Sequence, residues 1–124
     1  MTSVLVIDDN DRNRKLALDV LDAAGFRTFG SATAAQGIAV AQEHVPDVIL
    51  MDLRLPDMDG VDATRRLAAD ERTALIPVVA MSASPLEGSE DWLEEAGFAG
   101  FLEKPIHVST FPEQVRRFCT GMTG

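Results

Sequence analysis

Cysteine is nearly absent from this chain. Cys119 stands alone, so neither an internal disulfide nor a CxxC metal site can be built. That usage suits a reducing compartment, and a cytoplasmic location is expected. Basic residues are scarce too: 11 Lys and Arg face 20 Asp and Glu, a formal charge of −9. Long-range steering would repel phosphate backbones and anionic lipid, which argues against direct nucleic-acid or membrane-surface binding. Long apolar runs are missing. Val4 to Ile7 gives four apolar residues before Asp8, too few for a signal segment, and nothing approaches the about 20 residues of a spanning helix. Nor is there a linker or low-complexity stretch, so residues 1–124 are expected to form one domain with no output domain. With 46% hydrophobic residues over 124 positions, a chain of this size buries enough surface to fold without a disulfide or metal staple.

What is present is a repeat of short apolar runs and longer helical patterns, punctuated at Gly25, Pro46, Gly60, Pro77, Gly97 and Gly121. Strands are predicted at Val4 to Ile7, Arg27 to Gly30, Asp47 to Met51, Ile76 to Met81 and Gly100 to Leu102. Three of the five are continuously apolar, as strands buried on both faces should be. Five helices lie between and after them. Asn10 to Ala24 places Leu16, Val20, Leu21 and Ala24 inward and meets Gly25 at its C-terminal end. Thr33 and Gln36 suggest a capping box for the second helix, which turns Ile38 and Ala41 inward. The third runs from Val61 to Glu71 with Val61 and Leu67 inward. A short fourth, Glu90 to Ala96, follows Pro85 and Gly88 and is expected to be the most mobile. The last opens on Thr110 and Glu113, a T-x-x-E box, and buries Phe111, Val115 and Phe118. Right-handed βα units of this kind give a five-stranded parallel sheet in the flavodoxin-like order 2-1-3-4-5, helices covering both faces as a (βα)5 three-layer sandwich. Ligands of such sheets bind beyond the carboxyl ends of the strands, near the reversal between the first and third.

The residues at those ends are Asp8 and Asp9 after the first strand, Asp52 after the third, Ser82 after the fourth and Lys104 after the fifth. Asp8 and Asp52 are 44 residues apart, two βα units, and so reach the same rim. Two carboxylates about 5 Å apart repel by about 3 kcal/mol at an effective dielectric of 20. A hard divalent cation answers this best, because Mg²⁺ takes one or two carboxylates, keeps waters and accepts phosphate oxygens. With a metal and Lys104 beside it, one carboxylate could attack a phosphoryl group, and Ser82 could donate a hydrogen bond to the group transferred. Each residue also has a plainer role open to it. Asp8 and Asp9 could cap the first helix, Asp52 could be a turn residue, Ser82 a cap and Lys104 a solvated rim residue. Their joint placement favours the site.

The segments VLVIDDN (4–10), PDVILMDLRLPDMDG (46–60), IPVVAMSA (76–83) and GFLEKPI (100–106) resemble a response-regulator receiver domain across essentially the whole chain. The resemblance implies a phosphoryl group accepted on Asp52 from a histidine kinase or histidine phosphotransfer protein. It further implies Mg²⁺, with Mn²⁺ as a substitute, bound directly by Asp9, through water by Asp8, and by Asp52 and the backbone carbonyl of Arg54. Lys104 would pair with the phosphoryl oxygens, and the Lys104–Pro105 peptide would be cis. Enzymatic turnover is not expected apart from self-phosphorylation and autodephosphorylation. In the family the hydroxyl at the position of Ser82 moves onto the phosphoryl group, and the aromatic at the position of Phe101 rotates into the space it leaves. Many relatives carry Tyr there; Phe101 has no hydroxyl and can report burial only. Packing as plain core is its alternative.

The output face would be the fourth helix, fifth strand and fifth helix, with Trp92, Glu94, Glu95, Phe101, Arg116 and Arg117. Kinase docking would use Asn13, Leu16, Ala17 and Val20 on the first helix, rimmed by Arg12, Arg14 and Lys15. A monomer is expected, acting as a free-standing regulator through protein contacts or as a phosphorelay shuttle or sink. Three other classes compete, and one of them, a purely structural adaptor, predicts no response to a phosphodonor. A haloacid-dehalogenase-like Mg²⁺-dependent phosphatase needs its aspartyl nucleophile after the first strand in a D-x-D pattern, and here Asp11 falls inside the first helix. A flavodoxin-type FMN binder needs hydroxyls and glycines where this chain presents Asp8, Asp9 and Asp11.

Overall fold

A computed structural model describes residues 2–82, 95–103 and 106–119. The elements are β1 (Ser3–Ile7), α1 (Asp11–Ala23), β2 (Arg27–Ser31), α2 (Ala34–His44), β3 (Val48–Asp52), α3 (Gly60–Ala69), β4 (Val78–Ser82), β5 (Gly100–Glu103) and the C-terminal helix α4 (Phe111–Phe118). The strands form one parallel sheet in the order β2-β1-β3-β4-β5, as the βα pattern predicts. The predicted helix Glu90 to Ala96 lies outside the described residues except for Glu95 and Ala96, which are helical.

Alternation along the strands divides the core in two. Leu5, Ile7, Ile49, Met51, Val78 and Ala80 face α2 and α3, meeting Ala34, Ala41, Ala63 and Leu67. Val4, Val6, Val48, Leu50, Val79 and Met81 face α1 and α4, meeting Ala17, Leu21, Phe111 and Val115. Every residue of β3 is buried, so the strand is apolar on both faces until it ends in Asp52. The close approach of α2 to β1 requires Gly37, since a Cβ there would run into the side chain of Ile7. Gly25, at φ 94°, takes the positive-φ step that ends α1, as its position in the sequence suggested.

Some local expectations are corrected. Leu16 is 42% exposed, because the buried stripe of α1 runs through Ala17 and Leu21 and leaves the preceding residue turned to solvent. Thr110 makes no side-chain cap to α4; its own backbone is helical and its hydroxyl donates to the His107 carbonyl instead, so the T-x-x-E box does not form. Thr33 does cap α2, accepting the Gln36 N–H at 3.2 Å. Cys119 is buried; loss of solvation pushes its thiol up to about 11, with the Asp47 carboxylate adding to the rise and Arg116 opposing it.

Candidate functional site

β3 and β4 each run one residue further than the apolar pattern predicts, so Asp52 and Ser82 are the last residues of their strands and not the first of the loops. The ladder fixes them. Asp52 is in register with Met81, and the Leu53 N–H donates to the Met81 carbonyl at 3.2 Å. Ile7 is in register with Met51, which places Asp8 beside Asp52 one step beyond the paired residues. Ser82 is in register with Glu103, the residue before Lys104; Lys104 and Pro105 lie outside the described residues.

The acids meet as expected. Carboxylate oxygens of Asp8, Asp9 and Asp52 all lie within 4.8 Å of one another. Asp8 is 1% and Asp52 7% exposed, whereas Asp9 faces solvent. The helix-cap alternative for this pair fails in detail. Asn10 is the N-cap of α1, accepting the Asn13 N–H at 3.0 Å, while Asp8 accepts the Asn10 N–H at 2.9 Å. Asp8 thus organises the loop, and its carboxylate stays at the rim. Asp52 Oδ1 accepts the Arg54 N–H at 3.0 Å, which bends the chain sharply out of β3 and brings Arg54 back beside the carboxylate.

Oxygen donors of one sign, two of them buried, suit a hard divalent cation, since Mg²⁺ and Mn²⁺ prefer carboxylate, carbonyl and water ligands. The donor set fits: the carboxylates of Asp8, Asp9 and Asp52 come together on two adjacent strand ends, with Arg54 two residues away.

Three supporting residues escaped the sequence reading. Arg14, placed on the solvated rim of α1, has a side chain only 22% exposed; its guanidinium donates to the Asp8 carbonyl at 2.8 Å and to Asp11 at 2.6 Å. Gly60 admits the chain where a Cβ would crowd the Asp52 carbonyl oxygen and Leu53 Cα, each at 3.0 Å. Asp57 accepts the Ala34 and Ala35 N–H groups at 2.9 Å each, and these two bonds hold its carboxyl below the usual carboxylate range. Phe101 is half-buried against the core under α2 and α3, in register with Ala80. On the proposed docking helix Ala17 is buried and Asn13 and Leu16 are exposed. Arg116 reaches back to the Ala24 carbonyl at 2.9 Å and over the Phe26 ring. Trp92 and Glu94 lie outside the described residues. No helix among the described residues is long and apolar enough to cross a membrane.

Known proteins resemble this chain in sequence and in fold. The polar-differentiation response regulator DivK of Brucella ovis is 35% identical over 116 residues, which cover 94% of both chains. The chemotaxis protein CheY4 of Vibrio cholerae superposes with a TM-score of 0.89 at 24% identity, covering 95% of this chain and 98% of that one, a likeness of fold. The receiver domain of the sensor histidine kinase PA1611 of Pseudomonas aeruginosa, crystallised with a magnesium ion in its active-site cleft, superposes with a TM-score of 0.84 at 31% identity, covering 94% and 96%. Residues 4–116 match the response regulator receiver domain, so this chain belongs to the receiver-domain family of two-component response regulators.

Proposed function

We propose that Asp52 accepts a phosphoryl group from a histidine kinase or a histidine phosphotransfer protein and that the phosphorylated chain signals by protein contact. The observation that carries this reading is the meeting of the Asp8, Asp9 and Asp52 carboxylates within 4.8 Å at adjoining strand ends. A carboxylate oxygen of Asp52 attacks phosphorus and forms the new P–O bond, while the bond to the donor breaks and its electron pair leaves with the donor nitrogen or oxygen. Asp8, Asp9, Asp52 and the Arg54 carbonyl would hold Mg²⁺, which, when bound, supplies positive charge that offsets the crowded carboxylates and the charge developing on the transferred group. The backbone N–H of Arg54 donates to Asp52 Oδ1 and so fixes the orientation of the carboxylate. Ser82, one step past the Met81 that pairs with Asp52, donates its hydroxyl to the transferred group. Lys104, by its place after Glu103, supplies a second positive charge. Phe101 then reports the movement of Ser82 to the face around β5.

Reaction beyond self-phosphorylation and autodephosphorylation is not part of this reading, and the chain acts in the cytoplasm as a monomer. A second reading, a shuttle or sink in a phosphorelay, shares the whole site. It draws on the likeness to a receiver that is part of a sensor kinase. The test is incubation with acetyl phosphate and Mg²⁺ followed by intact-mass measurement. One phosphoryl group is expected, absent in Asp52→Asn and in chelator. Equal uptake by Asp52→Asn would overturn the assignment.

A further inference from the structure

The loop between β3 and α3 is closed at its base and anchored at its tip. At the base Arg54 and Asp59 form an antiparallel bridge, and the Gly60 N–H donates to the Leu53 carbonyl at 3.3 Å. At the tip Asp57 reaches across to another element. Its two carboxylate oxygens accept one N–H each from Ala34 and Ala35, the first residues of α2 and 22 to 23 positions away in the chain. A helix start leaves its first N–H groups without intrahelical partners. Thr33 provides for Gln36, and Asp57 takes the two that precede it. An anionic acceptor at this end of a helix also meets the favourable end of the macrodipole.

The same short turn serves the other half of the acid site. The Asp8 N–H donates to the carbonyl of Ser31 at 3.0 Å, three residues before Ala34. The segment 31–35 is therefore a strut gripped by both site loops, one through Asp8 and the other through Asp57.

We propose that Asp57 is a positioning residue for the metal and phosphoryl site: by tying the Arg54 loop to the strut that also holds Asp8, it fixes the spacing between the two sets of oxygen donors. The inference rests on the reading of the acid cluster given above. It adds a residue that does not touch the reacting atoms and acts through Arg54. Outer-shell partners that orient metal ligands typically contribute about 10–100-fold in metal affinity or activity.

The test compares the full chain with Asp57→Ala, Asp57→Asn and Thr33→Ala. Thr33→Ala removes a cap from the same helix without touching the loop, and so reports what a weakened α2 does by itself. Mg²⁺ affinity is measured by calorimetry with MgCl₂ alone, and the rate of phosphorylation is measured with acetyl phosphate. Asp57→Ala should weaken Mg²⁺ binding by about tenfold, the lower end of the outer-shell range, and slow phosphorylation in parallel at subsaturating Mg²⁺. Asp57→Asn keeps one acceptor oxygen and should fall between wild type and Ala; it decides the matter if Asp57→Ala does not fold. Thr33→Ala should lower the thermal midpoint and leave Mg²⁺ affinity unchanged. The proposal is overturned if the folded Asp57 variants bind Mg²⁺ as wild type does, or if Thr33→Ala weakens binding equally. Wild-type chain that binds Mg²⁺ but is never phosphorylated would sink the phosphoacceptor reading while leaving the Asp57 comparison intact. Wild-type chain that binds no Mg²⁺ sinks both.

Discussion

Asp8 follows Ile7 and Asp52 follows Met51, and Ile7 and Met51 are register partners on β1 and β3. Two buried carboxylates are thereby fixed side by side by the hydrogen-bond ladder of the sheet. The two backbones cannot part at this point without loosening the Ile7–Met51 pairing next to it. The crowding is built into the fold, and the exposed Asp9 completes it.

This crowding predicts opposite effects of Asp9→Asn with and without metal. In chelator, removing one of three like charges should stabilise the fold by about 1 kcal/mol, an amount held down by the exposure of Asp9 and screening by solvent. In Mg²⁺ the wild type should gain about 1.4 kcal/mol at tenfold excess over Kd. Each kcal/mol corresponds to about 3–6 °C in Tm for a domain of this size. Melting curves should show Asp9→Asn above wild type in chelator and unmoved by Mg²⁺. A variant whose Tm still climbs with Mg²⁺ as steeply as wild type would count against Asp9 as a ligand.

Asp70 gives a prediction for acid pH. Its side-chain hydrogen bond with Arg72, at 2.8 Å, is the largest of the causes that lower its carboxyl to about 2 from an ordinary 3.8. Because the folded-state value is the depressed one, the stabilisation is fully present above about 3.8 and disappears as pH falls through about 2. Asp70→Asn should therefore melt below wild type at pH 5 to 7, and the gap should close between pH 4 and pH 2. A gap of constant size down to pH 2 would show that ionisation of Asp70 contributes nothing.

Gly37→Ala tests the packing of α2. Alanine is the better helix former, yet its methyl would collide with the side chain of Ile7 beneath it. Overpacking of this kind costs about 1–3 kcal/mol. Urea denaturation should show a lower midpoint with an unchanged slope. A stabilised variant would mean that α2 can lift from β1 at no cost.

The rim was legible in the sequence because apolar strands of a βα repeat end at one edge of the sheet, and charged residues that interrupt the pattern at Asp8 and Asp52 must therefore gather there. The ladder differs from the pattern by one residue, since backbone pairing continues through Asp52 and Ser82 whatever their side chains. Leu16 was misplaced because helical spacing fits two adjacent stripes on α1, and only contact with the sheet selects the one through Ala17 and Leu21. Arg14 looked like a surface residue for the same reason. Asp57 was invisible as a cap because its partners are more than 20 residues away, beyond any local capping motif. The T-x-x-E signal at Thr110 misled in the other direction: the spacing was right, but the backbone there is already helical.

The most direct test is peptide mapping of the wild-type chain after acetyl phosphate and Mg²⁺, with samples quenched in acid to preserve an acyl phosphate. The account predicts a single base-labile phosphoryl group on the peptide containing Asp52, localised to that side chain. A phosphoryl group on any other residue, or none under saturating Mg²⁺, would contradict it.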